Sequence, residues 1–128
     1  MIRTILLPVD GSTFSEHALP VALDAARRAG ARLHIAHVHE TPAPRISPEG
    51  LSLYDARLDA ALRDQEQEYL TTLAHRCMEK AGISPCTDLL DGPVSAAISA
   101  YASEIEADLV IMTTHGRGGI SRAWVGSV

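Results

Sequence analysis

Short apolar runs alternate with longer segments of helical periodicity along this chain of 128 residues, and the alternation strongly constrains the fold. The apolar runs span residues 2–9, 33–38, 86–90 and 109–112. Their length is typical of strands that are buried on both faces of a parallel sheet. Because helical patterns separate these strands, right-handed crossovers should join them. The sequence therefore predicts an α/β fold with an open, parallel, doubly wound sheet.

Three helices are expected between the strands. The first begins after Asp10-Gly11-Ser12, where Thr13 and Glu16 have capping-box spacing, and Gly30 ends it. The second covers about residues 54–81, with a buried stripe formed by Leu58, Leu62, Tyr69, Leu73 and Cys77. Gly92-Pro93 starts the third. Residues 41–48 are rich in proline, which excludes both a helix and a central strand there.

Composition narrows the class of protein. A hydrophobic fraction of 46% with only 4% aromatic residues indicates one domain with an aliphatic core. The net charge of −5 argues against nucleic-acid binding, which favours a basic face. No signal peptide or run long enough to span a membrane is evident, so a cytoplasmic protein is expected. Cys77 and Cys86 fit no metal or redox motif and are interpreted as small buried side chains.

A glycine-rich segment, residues 113–119, follows the fourth strand and indicates a phosphate site. A lysine P-loop and a dinucleotide fingerprint are both excluded by their spacing. Gly116 and Gly119 permit backbone amides to surround an anion, and Arg117 adds positive charge. Gly126-Ser127 is expected at a helix start, where free amides also favour phosphate. The alternative is that these glycines only turn a surface loop.

Several polar residues lie near the predicted strand ends. Asp10 either stabilises a turn or contacts a ligand, and a carboxylate suits vicinal ribose hydroxyls. His115 could donate to phosphate or act as a general base. His37 and His39 share one strand face at a chelating spacing, but no third ligand is evident. The sequence therefore predicts neither a metal site nor a catalytic residue.

The combination of motifs resembles the universal stress protein family over nearly the whole chain. The matching features are Pro8-Val9-Asp10-Gly11-Ser12, an Ala-rich first helix, His37-Val38, Gly92-Pro93, and Gly116 followed nine residues later by Gly126-Ser127. The resemblance implies an adenine nucleotide alpha hydrolase-like sheet with strand order 3-2-1-4. The resemblance also implies which residues bind the nucleotide, through either backbone or side-chain atoms. They are Pro8, Val9, Asp10, Val38, Met112, Thr113, Gly116, Arg117, Gly119, Gly126, Ser127 and Val128.

Within this resemblance, Asp10 meets the ribose, Val38 the adenine, and the glycine motif the phosphates. Thr113 stands where ATP-binding members carry the first glycine of the motif. The expected function is that of an ATP-binding stress-response regulator, a nucleotide-dependent conformational or dimer switch that binds rather than catalyses. AMP or ADP are alternative ligands, and Mg could accompany the nucleotide. The other hypotheses are a nucleotide-free dimeric interaction module of the same fold and a slow ATPase.

The last residues favour a longer native protein. A helix that starts near Trp124 cannot be complete at Val128, because a single turn gains little against its nucleation cost. The family pattern continues through a fourth helix into a fifth strand that commonly mediates dimerisation. We therefore expect one domain over residues 1–128, truncated at its C-terminal end, that lacks its fifth strand and belongs to a homodimer.

Overall fold

The computed structural model describes residues 1–115 and 121–127, and a five-stranded sheet lies at its centre. The sheet consists of β1 (Thr4–Val9), β2 (Arg32–His39), β5 (Cys86–Asp91), β6 (Leu109–His115) and β7 (Ser121–Ser127). The helices are α1 (Leu19–Ala29), α2 (Ala56–Ala81) and α3 (Val94–Glu104). A separate small hairpin pairs β3 (Arg45–Ile46) with β4 (Ser52–Leu53) in the proline-rich crossover. This crossover contains no central strand, as predicted.

The strand order is β5-β2-β1-β6-β7, and the first four strands are parallel. The α/β class and the order 3-2-1-4 of the four predicted strands are thereby confirmed. The register pairs Val9 with His37 and His39 with Asp91. The carboxyl ends of β1, β2 and β5 consequently lie side by side at one edge of the sheet.

The position beside β6 is not empty, which corrects the expectation that the fifth strand is absent. β7 pairs antiparallel with β6 over seven residue pairs, from Leu109 with Ser127 to His115 with Ser121. The helix predicted near Trp124 is therefore wrong, and Gly126-Ser127 does not lie at a helix start. The physical reason is that a short helix makes few hydrogen bonds, whereas pairing with β6 satisfies backbone groups along the whole segment.

The sheet is covered on both faces. On one face α1 and α2 pack on β1 and β2 around a buried aliphatic cluster that includes Ile5, Leu7, Leu23, Ile35, Leu70 and Leu73. On the other face α3 covers a smaller cluster of Leu6, Ala36, Tyr101, Ala102, Ala107 and Val110. None of the helices in residues 1–115 is long and apolar enough to cross a membrane.

The start of α1 differs from its prediction. The chain forms a 3-10 turn over Ser15–Ala18 before α1, and neither helix start has a side-chain cap. The capping box of Thr13 and Glu16 is therefore wrong. Glu16 instead accepts hydrogen bonds from Tyr69 Oη at 2.9 Å and Arg76 Nη1 at 2.7 Å, which joins this turn to α2.

Two burial predictions also need correction. In α2, Tyr69, Leu73 and Cys77 pack in or against the core as expected, but Leu58 is 41% exposed, while the next residue, Asp59, is buried against His39. Cys86 is exposed, since it begins the edge strand β5, while Cys77 is buried. Asp55 caps α2 by accepting from the Leu58 amide at 3.0 Å, and Gly82 ends the helix in the left-handed conformation.

Candidate functional site

A cavity of about 430 Å³ opens at the carboxyl ends of β1 and β2. Its lining residues are Val9, Asp10, His37, Val38, Glu40, Leu62, Glu66, Val94 and Ile98. Ligands of open α/β sheets bind at this edge, and the volume is in the range of small-molecule sites. Three predicted binding residues, Val9, Asp10 and Val38, meet here.

The loop after β1 fixes the backbone and side chain of Asp10. The Asp10 amide donates to Ser15 Oγ at 3.1 Å, and its Oδ1 accepts from the Ser12 amide at 2.9 Å and from Ser12 Oγ at 2.5 Å. Gly11 makes this turn possible with a φ of +88°. Burial tends to raise the pKa of Asp10, but the hydrogen bonds from Ser12 and Ser15 outweigh it and hold that pKa below its usual value. Asp10 is thus an ionised carboxylate within a preformed turn.

A cluster of histidines and carboxylates forms one wall of the cavity. Glu66 of α2 lies between two histidines of β2, with 2.6 Å from its Oε1 to His39 Nδ1 and 2.9 Å from its Oε2 to His37 Nε2. His39 Nε2 contacts Asp59 Oδ1 at 2.5 Å, and His37 Nδ1 contacts the Val9 carbonyl at 2.9 Å. The side chain of His39 is fully buried. This cluster ties α2 to the ends of β1 and β2.

Hydrogen bonds within this cluster stabilise the ionised forms of His39 and Asp59. Burial alone would lower the pKa of His39, but the hydrogen bonds to Asp59 and Glu66 raise it above its ordinary value. The hydrogen bond from His39, with further ones from Tyr54 and Arg63, lowers the pKa of Asp59 to about 2. Arg63 donates to Asp59 at 3.1 Å and to Asp91 at 2.6 Å. The network therefore extends from β2 through α2 to the end of β5.

The predicted site residues Pro8, Met112 and Thr113 are not among the lining residues of this cavity. Pro8 lies in β1 beside Ala36, and Met112 and Thr113 lie in β6. Thr113 Oγ1 donates to the Ser15 carbonyl at 3.4 Å, so it contacts the loop that carries Asp10. Gly116, Arg117, Gly119 and Val128 lie outside the described residues.

Gly126 and Ser127 are not brought together with Asp10. They pair with Val110 and Leu109, at the amino end of β6, whereas Asp10 follows the carboxyl end of β1. The reason is the antiparallel direction of β7, which returns the chain to the opposite edge of the sheet. Their predicted contact with phosphate remains a prediction that this arrangement does not support.

Sequence reasoning missed Glu66 and Asp59 as partners of the two histidines. The signal was present, since these acids are seven residues apart on α2 and thus share one helix face, as His37 and His39 share one strand face. Only the crossover brings the two faces together. Within residues 1–113 no group of His, Cys, Asp and Glu side chains is arranged to hold a metal ion, because His39 bridges the carboxylates rather than converging with them.

Comparison with solved structures identifies the same fold elsewhere. A universal stress protein family member from Burkholderia pseudomallei is 31% identical, with a TM-score of 0.71 over 89% of this chain and 83% of the other. Two structures with lower identity were solved with nucleotides: a universal stress protein in complex with cAMP, 22% identical with a TM-score of 0.63, and an Arabidopsis thaliana family protein with AMP bound, 18% identical with a TM-score of 0.62. These two matches cover 92% and 91% of this chain and 78% and 79% of the other chains, respectively.

Sequence comparison agrees with the fold. A universal stress protein of Thermus aquaticus is 33% identical over 99% of this chain and 88% of its own length. The profile of the universal stress protein family matches residues 1–128, the whole sequence. The chain belongs to the universal stress protein family.

Proposed function

We propose that this protein binds an adenine nucleotide in the cavity at the carboxyl ends of β1 and β2. The observation that carries the proposal is the meeting of Val9, Asp10 and Val38 around that cavity. Asp10 is ionised and held in a turn, and a carboxylate in this position suits the two hydroxyls of a ribose. The apolar side chains of Leu62, Val94 and Ile98 offer contact area for a base.

The fold neighbours with cAMP and AMP support an adenine nucleotide as the ligand class. More specifically, we propose that the ligand is ATP and that a Mg ion accompanies it. The phosphates would be held by the glycine-rich segment, residues 113–119, which begins within β6. Thr113 contacts the loop of Asp10, which is consistent with a phosphate position between these two segments. The protein is proposed to act in the cytoplasm as a stress-response regulator.

Isothermal titration calorimetry with AMP, ATP and cAMP tests the proposal. Asp10→Asn removes the charge offered to the ribose and should weaken binding at least tenfold. Asp24→Asn is the matched control, since Asp24 lies on α1 and pairs with Arg27 and Arg28 away from the cavity. If the wild-type protein binds none of these nucleotides at millimolar concentration, the proposal is wrong and the nucleotide-free interaction module becomes the better hypothesis.

We also propose that the protein forms a homodimer whose contacts respond to nucleotide. In the described sheet β7 is an outermost strand, with β6 as its only partner, so its other edge can pair with a second chain. Light scattering with and without nucleotide measures this directly. The homodimer proposal would be contradicted if the protein stayed monomeric under both conditions at about 100 µM, a concentration at which a dimer with a Kd of that order would form.

A further inference from the structure

Glu66 is held on the wall of the cavity by two imidazole rings. Its Oε1 contacts His39 Nδ1 at 2.6 Å and its Oε2 contacts His37 Nε2 at 2.9 Å. The remaining ring nitrogens contact Asp59 Oδ1 and the Val9 carbonyl oxygen. Each of the four ring nitrogens is therefore paired with one oxygen atom; three of these oxygens belong to carboxylates and one to a backbone carbonyl.

Ionised carboxylates and carbonyls only accept hydrogen bonds, so each of these four contacts needs a proton on the nitrogen. His39, whose pKa is raised, carries a proton on both ring nitrogens when its two carboxylate partners are ionised. Its positive charge then lies between two carboxylates, which makes its burial tolerable. Both oxygens of Glu66 are fixed in position, and each retains a further lone pair for another donor.

The rest of the cavity offers mainly acceptors. The carboxylates of Asp10, Glu40 and Glu66 line it, while neither lysine nor arginine occurs among the described lining residues. Both ring N–H groups of His37 are already engaged. A ligand that enters this part of the cavity must therefore supply hydrogen-bond donors, because an acceptor beside an ionised carboxylate stays unpaired at a cost.

This step rests on the nucleotide binding proposed above. We propose that Glu66 is a specificity-determining residue that accepts a hydrogen bond from an N–H or O–H donor of the bound nucleoside. The donor is either the exocyclic amino group of the base or the 3′-hydroxyl of the ribose, in which case Asp10 keeps only the 2′-hydroxyl. His37 and His39 are positioning residues, which act by holding the Glu66 carboxylate in a fixed orientation.

Charged and titratable side chains from α2 and from the ends of β1 and β5 surround Glu66 and its two histidines. On α2 they are Asp59, Arg63 and Tyr69, whose ring lies 6.3 Å from that of His37. Asp10 follows β1, and Asp91 ends β5. Arg63 is engaged by Asp59 and Asp91. Among the described contacts, Glu66 is therefore held by the two histidines.

The test compares AMP with two analogues that each lack one donor. IMP carries an oxygen in place of the amino group, and 3′-deoxy-AMP lacks a ribose hydroxyl. Wild-type protein should bind AMP about tenfold more tightly than the analogue whose missing donor faces Glu66, which corresponds to about 1.4 kcal/mol. In Glu66→Gln that preference should fall to within about twofold. Glu68→Gln, an exposed position on the same helix, should keep the wild-type preference.

The analogues also identify the donor, since a preference against IMP indicates the amino group and one against 3′-deoxy-AMP the hydroxyl. Unchanged ratios in Glu66→Gln overturn the inference while nucleotide binding stands. If AMP itself does not bind, the proposed function fails and this inference with it. Should Glu66→Gln not fold, the wild-type ratios still decide, because equal affinity for AMP and both analogues overturns the inference.

Discussion

The two faces of the sheet are built differently. The face covered by α1 and α2 has large aliphatic side chains that are fully buried, among them Ile5, Leu7, Ile35, Leu70 and Leu73, and it carries the ionic cluster of His39. The face covered by α3 is lined mostly by small residues around Tyr101, and Val94 at the helix start is 43% exposed. The difference indicates that stability is concentrated where α2 packs, while α3 mainly shields the sheet.

Replacing His39 with leucine should have the largest effect on this contrast. His39→Leu removes the partner of two carboxylates at a fully buried position and should lower the free energy of unfolding by about 3 kcal/mol or more. His75→Leu, an exposed histidine on α2, should change it by less than about 0.5 kcal/mol. Urea denaturation measures both changes. Similar losses of unfolding free energy in the two variants would show that the cluster does not contribute to stability.

Truncating one aliphatic side chain on each face comes next. Leu70→Ala, at a fully buried site under α2, should cost about 2–5 kcal/mol, whereas Ile98→Ala on the half-buried face of α3 should cost about 1 kcal/mol. Leu58→Ala on the exposed turn of α2 serves as a control with little effect. Equal losses for Leu70 and Ile98 would show that the two faces contribute alike.

The smallest expected effect is a difference in pH response. His39 has a raised pKa, so its stabilisation is complete below about pH 6.5 and is lost as pH rises through its folded value. Burial and then Arg32 lower the pKa of His34 under α3, so that face loses stability as pH falls. NMR titration should place His39 above 6.5 and His34 below it. The reverse order would contradict the assignment of charges.

Much of the fold follows from local patterns. The strand runs 33–38 and 86–90 fall inside β2 and β5, and glycines 30 and 82 end α1 and α2. These elements are predictable because burial on both faces and helix termination leave their marks within a few residues of sequence. The position of Asp10 at the sheet edge follows from the same reasoning.

The predictions that failed depend on contacts between residues that are far apart in the sequence. Residues 121–127 form a strand because β6 offers an edge to pair with, and no pattern within the segment itself reveals that edge. Glu66 and Asp59 join His37 and His39 only because α2 crosses back over β2, 20 to 27 residues further along the chain from His39. Leu58 fits the apolar stripe of α2 but is 41% exposed, because the buried side of this turn is taken by Asp59 and its contact with His39.

The length of α2 has a mechanical consequence. Its 26 residues extend about 39 Å, whereas β2 with eight residues extends about 26 Å, so the helix is longer than the strand it packs on. Glu66 and Asp59 both contact His39, which fastens α2 to the end of β2 at two points about 10 Å apart along the helix axis. A tilt of the helix about one of these contacts would break the other, so the wall that α2 gives to the cavity is rigid.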